Sequence, residues 1–162
     1  MSSKITTSHE ISKMNSLQKL ITKNNLNAEL ISFNASTHTV EDAVVVLNCK
    51  ISQIIKSLIV ITRHENDLET PILVLVPGHQ KLKQILVRKL LKKYGILLRD
   101  SRLASPEEVK KFSGYEIGGV PPLILDMKVI ISEEILSESF VYGGGGSSSI
   151  LLKISVKDLL KF

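Results

Sequence analysis

The chain has a single cysteine, no tryptophan, and only 4 Phe and 3 Tyr among its 162 residues. One cysteine excludes an internal disulfide framework and any multi-cysteine metal site. Cys49 lies in Leu47-Asn48-Cys49-Lys50, which reads as a helix end carrying an inert thiol rather than a nucleophile. No apolar run reaches the roughly 18 residues that a membrane span requires. The first residues, with Lys4, His9 and Glu10 among polar neighbours, lack the apolar stretch of a secretory signal. A cytoplasmic protein that spans no membrane is the expectation. His9, His38, His64 and His79 are scattered, and none forms the close pair with a carboxylate that a zinc helix uses, so neither metal nor cofactor is expected. A nucleophile elbow of the form G-x-S-x-G is missing too.

What is present is an aliphatic interior and a net charge of +5. At this length the chain fits one domain with a real core. Residues 1–8 read as a flexible N-terminus and residues 9–162 as a single domain. Ile11, Met14, Leu17, Leu20 and Ile21 recur at helical spacing, predicting an amphipathic helix over 8–24. Residues 29–33 predict a strand. Thr39-Val40-Glu41-Asp42 places a capping threonine three residues before an acid and predicts a short helix. Two aliphatic runs, 57–62 and 72–76, predict strands joined as a hairpin. Residues 81–94 predict a basic helix whose Leu82, Ile85, Leu86, Leu90 and Leu91 face the core, with Gly95 as its stop. In Ser105-Pro106-Glu107-Glu108 a capping serine, a first-turn proline and two acids agree on another helix start. Strands near 127–131, 140–142 and 150–154 follow, and Ser155 caps a short terminal helix. The order mixes helices and strands without βαβ alternation, so the fold class is α+β.

Three features could carry chemistry. The first is Gly114-Tyr115-Glu116-Ile117-Gly118-Gly119-Val120-Pro121-Pro122. Glycine pairs admit positive φ and let backbone N–H groups approach a ligand, while Pro-Pro holds the next residues extended. It reads either as a rigid turn or as a binding loop. The second is Gly143-Gly144-Gly145-Gly146-Ser147-Ser148-Ser149, which lacks the lysine of a P-loop and precedes a strand rather than a helix. It is either a flexible hairpin loop or a nest of N–H donors facing Gly118 and Gly119. The third is Lys56 at the start of an aliphatic strand, either solvated or pointing into a cleft, where its ammonium could bond a phosphate or carbonyl oxygen. Positive charge also concentrates at Lys81, Lys83, Arg88, Lys89, Lys92 and Lys93. This is a solvated helix face or a sugar-phosphate footprint with salt-dependent affinity.

In order and spacing these pieces resemble the YbaK / prolyl-tRNA synthetase-associated editing-domain family. The resemblance rests on Thr39-Val40-Glu41-Asp42-Ala43, Ile54-Ile55-Lys56-Ser57-Leu58, Leu73-Val74-Leu75-Val76-Pro77-Gly78 and Arg102-Leu103-Ala104-Ser105-Pro106-Glu107-Glu108-Val109. The 114–122 loop and the glycines at 143–146 complete it, over about residues 28–160. It implies a strongly curved, barrel-like mixed sheet flanked by helices, and a trans-acting deacylase that hydrolyses the ester of mischarged tRNA bearing a small amino acid. Cysteine- or alanine-charged tRNA(Pro) is the substrate it suggests, with aminoacyl-tRNA and prolyl-tRNA synthetase as partners. It further implies a pocket in which Lys56, Gly118 and Gly119 carry the chemistry. Ser57, Val120, Pro121, Pro122, Ile124, Gly145, Gly146 and Ser147 would contact the substrate. Leu123-Ile124 stands where family members often have Phe-Gly, and Ser132 where many carry aspartate. Those two departures motivate an alternative, a noncatalytic tRNA- or synthetase-binding module on the same fold.

Overall fold

The computed structural model describes residues 8–33, 39–80, 84–96 and 98–162. Helix α1 (Ser8–Lys23) buries Leu17 and Ile21, one turn apart, as its spacing predicts. Strand β1 (Ala28–Ser32) follows. Helix α2 (Val40–Leu47) starts at a full capping box: Thr39 Oγ1 accepts the Asp42 N–H at 3.0 Å, and Asp42 Oδ2 accepts the Thr39 N–H at 3.3 Å. Strands β2 (Ile55–Arg63) and β3 (Glu69–Pro77) form the expected antiparallel hairpin. Helix α3 (Gln84–Lys93) buries Val87 and Leu91. Helix α4 (Pro106–Ser113) is capped by Ser105 and stopped by Gly114 at φ +77°, in the left-handed region that glycine tolerates. Strand β5 (Lys128–Ile131) and the hairpin of β6 (Phe140–Ser147) and β7 (Ile150–Ser155) lead to α5 (Val156–Leu159), which Ser155 caps.

Two elements differ from expectation. Asp100–Leu103 is a strand, β4, paired with Val60–Arg63 of β2; its polar residues at 100–102 hid it. Residues 143–147 are strand and not loop: Gly143 pairs with Leu152 and Gly144 with Leu151, and a bulge separates Gly144 from Ser147. Glycine carries no side chain to show a two-residue alternation, so the sequence pattern falls silent where the strand continues.

The strands form a three-stranded antiparallel sheet, β1-β7-β6, and a four-stranded sheet, β4-β2-β3-β5, whose β3–β5 pair is parallel. The α+β class holds. The two sheets do not close into a barrel: among the described residues they are joined in strand pairing only by a parallel bridge between Ile54 and Tyr142. Closure stops along β2, since β4 pairs only with Val60–Arg63.

Both faces of the β2–β3 hairpin are buried, which explains its nearly continuous aliphatic runs. Ile55, Ile59, Ile61, Leu73 and Leu75 face a core shared with Leu17 and Ile21 of α1 and Val141, Leu152 and Ile154 of the β6–β7 hairpin. Val60, Ile72, Val74 and Val76 face a second core with Val87 and Leu91 of α3 and Ile130 of β5.

Candidate active site

Where β4 leaves the start of β2 unpaired, a cleft of about 430 Å³ opens. Its lining comes from Thr39, Val40 and Ala43 of α2, residues 54–59 around the start of β2, and Leu103, Ala104 and Val109 of β4 and α4. Ile117, Gly118 and Val120 close one side, with Tyr142, Gly143, Gly144 and Leu151 of the β6–β7 hairpin opposite. Most of these side chains are aliphatic. Among the described lining residues there is no carboxylate, imidazole or thiol.

Lys56 and Ser57 are successive residues of an extended strand, so their side chains leave opposite faces. Lys56 is exposed, while the Ser57 hydroxyl is buried and has no hydrogen-bond partner among the described residues. The Ile59 carbonyl accepts the Ala104 N–H at 2.9 Å. By the two-residue alternation of an antiparallel ladder, the main-chain N–H and C=O of Ser57 point to the same open edge.

The glycine-proline loop is held tightly. Gly119 N–H donates to the Glu116 carbonyl at 3.0 Å, closing a turn whose third residue, Gly118, has φ +87°, the conformation a type II turn demands there. Gly146 N–H donates to the Gly119 carbonyl at 2.9 Å and stitches the loop to β6. A Cβ on Gly144 would lie 2.3 Å from the Val120 oxygen, and one on Gly143 would lie 3.1 Å from Pro122 Cδ. The glycines of β6 therefore let two backbones touch. They are neither a flexible loop nor an N–H nest facing Gly118 and Gly119, because Gly146 spends its N–H on the Gly119 carbonyl and Gly119 spends its own on the Glu116 carbonyl.

Of the residues expected in the pocket, Lys56, Ser57, Gly118 and Val120 line the cleft. Gly119, Pro121 and Pro122 are buried behind it. Gly145, Gly146 and Ser147 lie beyond it: Gly146 packs under Tyr115, with 3.5 Å from a Cβ position to Cε1, and Ser147 Oγ is 3.2 Å from Ser149 Oγ. Ile124 lines a different groove, of about 880 Å³, between α1 and residues 112–125. Ser132 caps the 3₁₀ turn Glu133–Ser137 and donates its N–H to the Leu75 carbonyl at 2.9 Å. Neither departure from the family pattern touches the Lys56 cleft. The walls given by α2, β4 and Tyr142 were missed, because nothing in local sequence brings 40, 103 and 142 together.

Charged neighbours fix the walls from outside. Arg102 forks onto Glu108 at 2.7 and 2.8 Å, and Glu108 also accepts the Ser105 N–H at 2.8 Å, so β4 is clamped to α4. The Arg102 guanidinium, aided by that N–H, holds the Glu108 carboxyl down at about 2 against an ordinary 4.5. A carboxyl depressed by folding stabilises the native state above its unfolded pKa, and that contribution fades as pH falls through the folded value. Glu108→Gln is therefore expected to flatten the stability curve between about pH 4.5 and 2, as followed by chemical denaturation at stepped pH. Glu116 pairs with Lys110 at 2.7 Å, outside the cleft lining, which removes the loop's one carboxylate as a general base.

The basic helix sits elsewhere. Arg88 of α3 pairs with Asp100, at the opposite end of β4 from the cleft residue Leu103, and Lys93 pairs with Glu133. Lys89 and Lys92 are exposed and form no ion pair among the described residues; Lys81 and Lys83 lie outside the described residues.

The aminoacyl-tRNA editing domain matches residues 34–162, most of the chain and every cleft residue. The chain belongs to the aminoacyl-tRNA editing domain family. An uncharacterized protein of Bacillus subtilis, YwhH, is 29% identical over 151 residues, covering 92% of this chain and 90% of that protein. The proline–tRNA ligase of Solidesulfovibrio magneticus is 29% identical over 120 residues, 74% of this chain but only 19% of the ligase. Among solved structures, the hypothetical protein APE2540 is 30% identical with a TM-score of 0.75, covering 90% of this chain and 91% of that one. A candidate trans-editing enzyme for prolyl tRNA synthetase is 28% identical with a TM-score of 0.75, covering 91% and 89%. This editing domain thus shares its α+β architecture with relatives over nearly their whole length. Among its described residues, no helix is long and apolar enough to cross a membrane, and no three His, Cys, Asp or Glu side chains cluster to hold a metal.

Proposed function

We propose that the chain is a trans-acting aminoacyl-tRNA deacylase, hydrolysing the ester of mischarged tRNA that carries a small amino acid. One observation carries the reading: the Lys56–Ser57 edge of β2 opens onto a mostly aliphatic cleft whose described lining offers no carboxylate, imidazole or thiol. An aminoacyl ester is already activated. It needs a placed water and stabilisation of the oxyanion, both of which positioning and electrostatics supply. The ribose hydroxyl beside the ester places the water, Lys56 anchors a phosphate or the developing charge, and the main chain at Gly118 borders the carbonyl. Val40, Ala43, Val109 and Val120 bound the acyl side chain, so size exclusion sets acceptance.

The names of two relatives support tRNA(Pro) as the tRNA and prolyl-tRNA synthetase as the partner; on this reading the place of action is the cytoplasm, where charged tRNA is used. The test is a panel of tRNA(Pro) charged with alanine, cysteine, serine or proline. Hydrolysis of a small noncognate ester, with prolyl-tRNA spared, is the expected result. Binding of every charged tRNA without turnover would replace this reading with the noncatalytic module. For the tRNA footprint we assign Lys89 and Lys92, the α3 cations without an ion pair among the described residues. Lys89→Ala with Lys92→Ala is expected to weaken tRNA binding and lower its salt slope by about 1 per lysine. An unchanged slope in a salt titration would move the footprint off this helix.

A further inference from the structure

On the deacylase reading, we propose that the Ser57 hydroxyl is the specificity determinant of the acyl subsite, and that the preferred aminoacyl group bears a side-chain hydroxyl, with serine above alanine. Along one face of β2 the row reads Ile55, Ser57, Ile59, Ile61, and the three isoleucines are 4%, 3% and 3% exposed. Ile55, Ser57 and Ile59 of this row line the cleft, and its three isoleucines belong to the main core. An aliphatic residue at 57 would continue both. A hydroxyl stands there instead, its oxygen buried and without a hydrogen-bond partner among the described residues.

Buried hydroxyls are nearly always hydrogen-bonded, so one without a partner among the described residues, on a residue that lines a cleft, points to the place of a ligand's polar atom. The other lining hydroxyls are differently placed. Thr39 Oγ1 is committed to the α2 cap, and Tyr142 is half-buried on the opposite hairpin. The walls near Ser57 are Ile55, Ile59, Ala104, Val109 and Val120, which offer an acyl side chain only dispersion contacts.

Adjacency supplies the geometry. Lys56 leaves β2 toward solvent at the cleft, and Ser57 leaves it toward the interior. A substrate anchored at Lys56 therefore sends its acyl side chain inward toward Ser57 Oγ. The free N–H and C=O edge of Ser57 serves any aminoacyl group, through its α-amino group or carbonyl. The hydroxyl is the part that distinguishes one side chain from another.

The experiment compares kcat/KM on one tRNA(Pro) transcript charged with serine or with alanine, for the wild type and for Ser57→Ala. A wild-type preference for serine of about tenfold is expected, the worth of one buried hydrogen bond. In Ser57→Ala the serine-to-alanine ratio is expected to fall to near one. The variant should melt no lower than the wild type, because the substitution deletes one unpaired buried group. An unchanged ratio, or equal slowing on both substrates, would assign the hydroxyl to the water or ribose and overturn the proposal. A wild-type preference for alanine would overturn it as well, while leaving the deacylase reading intact. No hydrolysis of any charged tRNA would overturn both.

Discussion

Lys56→Ala is expected to lower deacylation about 100-fold or more while leaving the melting temperature unchanged. Arg63 at the far end of β2, Arg99 just before β4 and Arg102 on β4 are tied to Glu69, Asp67 and Glu108. Lys56 forms no ion pair among the described residues, and its side chain is exposed at the cleft. Its charge is thus uncommitted to the fold and available to a substrate. Removing a single preorganised donor to a developing oxyanion costs about 10²–10³ in rate, and a charge-assisted bond to phosphate is comparably strong. Lys56→Arg should restore only part of the activity, because a planar fork does not reproduce a compact ammonium. Single-turnover rates on mischarged tRNA check this. Activity of Lys56→Ala above about a tenth of wild type would remove the lysine from the chemistry.

Gly144→Ala is expected to be the most damaging of the glycine-to-alanine changes. Its Cβ would sit 2.3 Å from the Val120 oxygen and 2.8 Å from the Gly119 carbonyl carbon, both backbone atoms that no rotamer can move. Relief requires the 118–122 loop to lift off β6, which breaks the bond from Gly146 N–H to the Gly119 carbonyl and opens the cleft wall. Overpacking of this kind costs about 1–3 kcal/mol, or about 2–4 °C of melting temperature per kcal/mol for a domain of this size. Activity should fall further than stability, since the displaced loop carries Gly118 and Val120. Gly118→Ala is the internal control. Nothing lies within 4 Å of its Cβ position, and the cost there is only that of holding alanine at φ +87°, about 1 kcal/mol. Equal melting temperatures for Gly144→Ala and wild type would show that the two backbones do not touch.

The local signals in the sequence proved reliable where their causes are local. Thr39, Ser105 and Ser155 cap helices because a hydroxyl three residues ahead of an N–H needs no tertiary partner. The β2–β3 hairpin was legible because both its faces are buried, and aliphatic content alone records that. β4 was not legible, since Asp100, Ser101 and Arg102 become a strand only by pairing with β2. The glycines at 143–146 misled because glycine is common to loops, nests and close contacts, and only the partner backbone distinguishes them. Ile124 followed Pro122 in sequence but turned to the α1 groove, as two buried prolines and Leu123 redirect the chain.

By itself, then, the sequence determined the α+β class, the capped starts of α2, α4 and α5, the family, and Lys56 as the residue to watch. It could do so because caps, periodicities and ordered motifs are properties of neighbours along the chain. Tertiary structure alone decided which residues share the cleft with Lys56, that the buried Ser57 hydroxyl at its wall has no partner among the described residues, and that the glycine strand is packing rather than ligand cradle. Those outcomes depend on where β4 stops along β2 and how closely β6 meets the 118–122 loop, distances between segments far apart in the chain that no local pattern encodes.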